Sequence, residues 1–240
     1  RQREFTTNEV QMRKNSIPLD LLYGEGFEEH FHLPLVKEIA ERNVGIIMFF
    51  GLPGCGKTQY LRILSAALKE YEKPFNFLMP SIYSYIAGEE FTTFIQEDFD
   101  TPQVFVLEEA SDSIKSRKKG KHPEIVEALL QLSDGVLSEM TPHIYILTCN
   151  TKVDEIDTAL LRPGRCIAAR EFKPLNHTQA IALASHIGVL LPVDDGVDKL
   201  HTLAEIFNLK NDVASLPLVD KQIADMVEKE KDASSKKLGY

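Results

Sequence analysis

One octapeptide, GLPGCGKT at 51–58, constrains this chain more than any other segment. It fits the pattern G-x-x-x-x-G-K-[ST], with an apolar run before it and helical spacing after it. Gly51, Gly54 and Gly56 allow a tight turn in which consecutive N–H groups point inward at an anion. A helix starting near Lys57 adds the positive end of its dipole. Lys57 brings a mobile charge suited to the β- and γ-phosphates, and Thr58 a hydroxyl for Mg²⁺, which takes few protein ligands. A chance glycine-rich turn is the plain alternative, and the strand and helix on either side argue against it. A cradle for a nucleoside triphosphate is therefore expected over Gly51, Pro53, Gly54, Cys55, Gly56, Lys57, Thr58 and Gln59.

The surrounding pattern predicts where such a loop sits. Apolar runs at 45–50, 75–79, 103–107 and 143–148, with a short fifth near 167–172, alternate with helical spacing at 57–71, 89–98, 123–138 and 155–161. A helical stretch also precedes them at about 28–43. Short apolar strands alternating with amphipathic helices predict an α/β fold, a parallel sheet sandwiched by helices. After about 176 the strand signal ends, and 177–188, 196–207 and 217–231 carry helical spacing with charged faces. The expected organisation is a flexible entry segment at 1–16, an α/β nucleotide-binding domain at 17–175, and a small all-helical lid domain with a frayed tail at 176–240. The chain opens on Arg1 and polar residues, as expected of a processed or excised product that has lost a targeting or recognition segment.

Two further segments carry chemistry. VFVLEEA at 104–110 is an apolar strand ending in two acids. Glu108 is the candidate to hold the Mg²⁺ shell, and Glu109 the candidate to orient and deprotonate an attacking water. This is a Walker B pattern with Glu where Asp is usual, and the extra methylene shifts the carboxylate by about 1 Å or bends its rotamer. A solvated acidic strand end is the alternative. In HIYILTCNT at 143–151 a buried strand is interrupted by Thr148 and Asn150. Asn150 either holds the lytic water against the γ-phosphate or simply opens a turn.

IDTALLRPGRC at 156–166 completes the set. With it, residues 44–190 resemble the AAA branch of the AAA+ ATPases in motif order: phosphate loop, aromatic loop, acidic strand end, Asn-bearing strand, arginine pair. The resemblance implies Mg²⁺-dependent ATP hydrolysis by an oligomeric ring, hexameric in the family. It makes Lys57, Glu109, Asn150, Arg162 and Arg165 the catalytic set, the two arginines reaching a neighbour's γ-phosphate. A guanidinium supplied in trans stabilises the charge that spreads over the equatorial oxygens in phosphoryl transfer. The arginines have a plain alternative in a surface ion pair around a Pro-Gly turn. Cys166-Ile167 stands where the family has Phe-Asp. LLYGEG at 21–26 falls where the family lines its adenine pocket, making Leu22, Tyr23 and Gly24 candidates for the base.

The resemblance also suggests what the ring acts on. SYIAGEE at 84–90 matches the loop that projects into the central pore, with Tyr85 and Ile86 gripping an extended polypeptide. Tyr85 packing at a helix start is the alternative. The chain is acidic, with 36 Asp and Glu against 27 Lys and Arg and a net charge of −9. That disfavours general nucleic-acid binding. Yet Lys115, Arg117, Lys118, Lys119 and Lys121 cluster in one loop. This basic run is either solvated, or meets a neighbouring subunit, an acidic peptide or a phosphate backbone. Remodelling or threading of protein substrates is therefore the first expectation. A nucleic-acid-directed ATPase of phage or replication type, and an ATP-gated scaffold with slow hydrolysis, are the alternatives. No apolar run approaches the ~20 residues of a membrane span. Three scattered cysteines, Cys55, Cys149 and Cys166, form neither a disulfide framework nor a zinc spacing. A cytoplasmic setting, or another reducing compartment such as an organelle stroma, is expected.

Overall fold

Three of the five strands are buried along their whole length, and only a sheet covered on both faces buries such runs. The computed structural model, which describes residues 16–114, 122–191 and 199–209, contains that sheet. In chain order its strands are β1 (Gly45–Phe50), β2 (Phe75–Leu78), β3 (Val104–Leu107), β4 (Ile144–Cys149) and β5 (Cys166–Glu171). They lie side by side as β2-β3-β4-β1-β5, and every pairing is parallel. β1, β3 and β4 are central and buried, whereas the edge strands β2 and β5 are partly exposed. All five carboxyl ends therefore open on one edge, where ligands bind in sheets of this kind.

Parallel neighbours require crossovers, and helices supply them. The helices are α1 (Leu19–Tyr23), α2 (Leu33–Glu41), α3 (Lys57–Leu68), α4 (Glu89–Glu97), α5 (Ser111–Ile114), α6 (Pro123–Asp134) and α7 (Val136–Met140). Alternation along β1 serves both faces of the sheet. Ile46, Met48 and Phe50 join one core with Phe91 and Ile95 of α4 and Ile125, Val126 and Leu129 of α6. Phe49 faces the other way, 5.3 Å from the rings of Tyr60 on α3 and Phe172 beyond β5. Tyr60 is fully buried there, with its hydroxyl 3.2 Å from His32 Nδ1.

The helices depart from the sequence expectation in several places, among them 196–207, where the helix starts only at Leu203 and His201 before it forms a β-bridge. The stretch at 28–43 begins as a π-helical turn, Glu28–His32, before α2. The stretch at 123–138 is two helices, because Gly135 takes an extended conformation between α6 and α7. The predicted helix at 155–161 is two 3₁₀ turns, Val153–Glu155 and Thr158–Leu161. Asp157 caps the second by accepting from the Ala159 N–H, and Pro163 pushes Arg162 into an extended backbone (ψ 138°) that ends it.

Two compact units make up the chain, Arg1–Pro174 and Leu175–Tyr240. In the second, α8 (His177–His186) and α9 (Leu203–Asn208) each start with a capping box, Asn176 with Gln179 and Thr202 with Glu205. Leu175 and His201 exchange backbone N–H···O bonds of 2.8 Å, an antiparallel bridge before α9. The expected helix at 217–231, and nearly all of the entry segment at 1–16, lie outside the described residues. Among the described residues no helix is long and apolar enough to cross a membrane.

A buried histidine at the opposite edge of the sheet generates a pH prediction. His143 Nδ1 accepts from the Gln103 N–H at 3.1 Å, and its Nε2 faces the Ile95 carbonyl at 3.4 Å. Burial lowers its pKa from the ordinary value, opposed by the Ile95 carbonyl, so the folded state holds it neutral. The unfolded chain takes up this proton near pH 6.5, as an ordinary histidine does, while the native state resists it. Stability is therefore full above that pH and falls below it, by up to about 2 kcal/mol between pH 7 and pH 5. Urea unfolding at those two pH values should show the loss, and His143→Gln should flatten the part due to this residue.

Candidate nucleotide site

The phosphate loop leaves β1 at Gly51, whose φ of 137° is open to glycine. A Cβ there would lie 2.2 Å from the carbonyl oxygen of Phe172, so the loop runs directly against the exit of β5. Gly54 and Gly56 also take positive φ, 81° and 88°, and turn the chain into α3. Lys57, the first residue of α3, is buried. Its ammonium donates to the carbonyls of Gly51 at 2.7 Å and Leu52 at 2.9 Å, which hold it across the loop. Burial pulls its pKa below that of an ordinary lysine, opposed by Cys55, Cys149 and Glu109 nearby. Cys149, itself buried, has its thiol pushed up to about 12.

The next residue reaches across the site. Thr58 Oγ1 donates to Glu108 Oε1 at 2.6 Å, joining the start of α3 to the end of β3 over 50 residues of sequence. A hydroxyl and a carboxylate oxygen in contact form the small oxygen donor set that Mg²⁺ takes from protein while keeping its waters, so these residues fit that ion. Glu109 follows, exposed, with an unusual φ of 55°. The peptide unit between the two acids is bonded on both sides. The Glu108 carbonyl accepts from Tyr83 Oη, and the Glu109 N–H donates to Thr148 Oγ1 at 3.0 Å. Neither Tyr83 nor Thr148 stood out as a site residue in the sequence. Thr148 left a trace there, as a hydroxyl inside an otherwise apolar strand, but Tyr83 left none.

Asn150 is exposed just beyond β4, its N–H donating to Ser111 Oγ at 2.8 Å. Arg162 is exposed at the end of the Thr158–Leu161 turn, and its carbonyl accepts from the Cys166 N–H at 2.9 Å. Arg165 behaves differently from expectation. Its guanidinium donates to the Ala159 carbonyl at 2.6 Å and to Asp134 Oδ2 at 3.1 Å, with only 13% of its side chain exposed. The Arg165 guanidinium is thus folded back onto its own chain, where it ties the arginine turn to the end of α6, whereas Arg162 of the pair is exposed.

The base candidates also divide. Leu22 is buried in the core at 1% exposure and is not among the residues lining the cavity beside Tyr23, which corrects its assignment. Tyr23 touches the phosphate loop, its hydroxyl donating to the Gly56 carbonyl at 3.2 Å. Gly24 ends α1, donating from its N–H to the Asp20 carbonyl. Beside Tyr23 a cavity of about 310 Å³ is lined by Phe27, Arg170, Glu171, Phe172 and Lys173 as well. The Arg170 guanidinium lies over the rings of Phe27 and Phe31, 5.2 and 5.1 Å from their centroids. The walls from β5 were missed because they meet Tyr23 only through the sheet.

The expected pore pair is corrected in one member. Residues 80–85 form a 3₁₀ turn that buries Tyr83 and, just after it, Ile86, which is 2% exposed within the core of α4 and α6. Ile86 anchors this segment and does not project from it. Tyr85 is half-buried. The basic run at 115–121 lies outside the described residues.

A five-stranded parallel sheet with a phosphate loop between β1 and α3, and acids at the end of the strand two places away, defines a P-loop α/β domain. Residues 47–174 match the family model described as ATPase family associated with various cellular activities (AAA), and the chain belongs to that family. It is 30% identical over 202 residues to the peroxisomal ATPase PEX1 of Homo sapiens, covering 80% of this chain and 14% of that protein. It is also 30% identical over 168 residues to the ATPase histone chaperone abo1 of Schizosaccharomyces pombe, covering 66% of this chain and 13% of that one. The chain thus spans about one-seventh of the length of these curated relatives. Among solved structures, a chain of the E. coli MS115-1 HORMA:CdnC:Trip13 complex shares its fold. That match has a TM-score of 0.57 and 15% identity, over 88% of this chain and 90% of that one.

The contact at Gly51 generates a test of the loop. Gly51→Ala forces a methyl group onto the Phe172 carbonyl in a left-handed conformation, and should cost about 3 kcal/mol. Thermal unfolding of the variant should show a correspondingly lower Tm.

Proposed function

We propose that the chain is an ATP-hydrolysing motor domain that works in a ring and remodels or threads protein substrates. The observation that supports this reading is the Thr58–Glu108 bond between the start of α3 and the end of β3, with Glu109 exposed next to it. In this reading the loop N–H groups and Lys57 bind the β- and γ-phosphates. Thr58 and Glu108 hold Mg²⁺, which when bound neutralises phosphate charge. Glu109 orients the attacking water and takes its proton, and Asn150 bonds the same water from the end of β4. Tyr23, Gly24 and the aromatic cavity beside them take the base, which stacks on ring faces.

Arg162 serves the neighbouring subunit. Its exposure beyond the Thr158–Leu161 turn leaves it free to reach a second copy's γ-phosphate, while Arg165 holds the turn in place from behind. A planar guanidinium introduced there makes turnover depend on assembly. The second unit, Leu175–Tyr240, is the helical lid domain in this reading. Tyr85 is the residue offered to an extended polypeptide, on a turn anchored by Tyr83 and Ile86. Both of these relatives are described as ATPases, one of them a histone chaperone. A protein substrate fits that company best.

Mixing subunits tests the shared site. Arg162→Ala should lower steady-state ATP turnover by about 100-fold or more, and Glu109→Gln should abolish it. Combining the two variants restores interfaces that pair an intact Glu109 with an intact Arg162, so activity should reappear in the mixture. Absence of any rescue, with both variants assembled by light scattering, would remove the in-trans role of Arg162.

A further inference from the structure

The peptide unit between Glu108 and Glu109 is held by side chains at both of its polar ends. Its oxygen accepts from Tyr83 Oη and its N–H donates to Thr148 Oγ1 at 3.0 Å. The two residues come from opposite sides. β2 and β4 flank β3, Tyr83 lies in the turn that follows β2, and Thr148 lies in β4 itself. Both hydroxyl-bearing side chains are buried, at 4% and 2% exposure, which limits the competition of water for these bonds. Thr148 adds a third hold, its carbonyl accepting from the Ala110 N–H at 2.9 Å.

This restraint explains the conformation of Glu109. A φ of 55° is costly for a residue with a Cβ, and such a conformation persists only where its surroundings over-determine it. With the plane before Glu109 fixed by two hydroxyls and the N–H after it fixed by Thr148, the Glu109 Cα has little freedom. Its side chain is thereby turned out of the strand to the exposed edge, near enough to Lys57 to act on its charge. A strand continuing in regular geometry would instead place consecutive acids on opposite faces of the sheet.

We propose that Tyr83 and Thr148 are positioning residues for hydrolysis, clamping the Glu108–Glu109 peptide plane and so aiming the Glu109 carboxylate. The inference rests on the reading of Glu109 as the group that orients water. The clamp acts on the direction of that carboxylate and leaves the phosphate loop untouched. Loss of a hydroxyl therefore lowers kcat and spares nucleotide binding. Because both hydroxyls hold one plane, freeing it twice does little more than freeing it once.

The test uses Tyr83→Phe, Thr148→Val, Thr148→Ser and the Tyr83→Phe/Thr148→Val pair, with Glu109→Gln as reference. Steady-state ATP turnover is measured alongside binding of a fluorescent ADP analogue. Tyr83→Phe and Thr148→Val should each lower kcat about 10- to 100-fold with ADP affinity unchanged. Thr148→Ser should recover most of the loss, and the double variant should be no slower than the worse single. Full turnover in both single variants beside an inactive Glu109→Gln overturns the clamp alone, as does a double variant whose losses multiply. An active Glu109→Gln overturns the reading of Glu109 and the clamp with it. Should Thr148→Val fail to fold by its melting curve, Tyr83→Phe, which removes one oxygen, decides the matter.

Discussion

The pairing of β4 with both β1 and β3 is the constraint on which the site depends. Leu147 lies opposite Met48 on one side and Leu107 on the other, so the two strands end at nearly the same height. From that register Glu108 is level with Thr148 and Phe49, and the phosphate loop starts two residues further at Gly51. Thr58, at the first turn of α3, then falls within reach of Glu108. Shifting β4 by one residue would exchange the side chains it presents to its two covered faces and mis-pack both, so core packing holds the site geometry in place. The reaction groups themselves contribute little to that register.

Several polar contacts at the edge tie one segment of the candidate site to another. Arg165 bonds Ala159 and Asp134, and so holds the turn from which Arg162 emerges. Tyr83 bonds the Glu108 carbonyl, and so connects the 80–85 turn bearing Tyr85 to the acids at the end of β3. One hydrogen bond thus lies between the segment read as substrate-facing and the backbone of the candidate water-orienting residue. Bonds of this kind gain strength from burial, because an unpaired partner inside the protein costs more than one in water.

Much of this was legible in the sequence. The glycines, Lys57 and Thr58 form a contiguous motif whose geometry is local, and the structure has the glycines in one loop and Lys57 and Thr58 at the start of α3. The acids at 108 and 109 were legible because four apolar residues before them mark the end of a buried strand. Two departures had local signals that went unused. Gly135 interrupts the 123–138 helix, and Pro163 bars a regular helix from running into Arg162. Ile86 was harder. In a 3₁₀ turn, which of two adjacent apolar residues faces the core depends on what packs above it, here the core formed with α4 and α6.

What the sequence determined by itself is therefore the class of fold and the chemistry of its contiguous motifs, because hydrophobic period and glycine geometry are properties of short segments. It determined that a phosphate loop follows a buried strand, that two acids end another, and that an arginine pair follows a third. Only the tertiary structure decided which arginine is presented and which is folded back, and that Ile86 is core. It alone brought Arg170 over Phe27 and Phe31 beside Tyr23, and set Tyr83 and Thr148 on the two sides of one peptide plane. Each of those depends on residues distant in the chain meeting across neighbouring strands, and strand order is fixed by burial of the whole sheet rather than by any one segment.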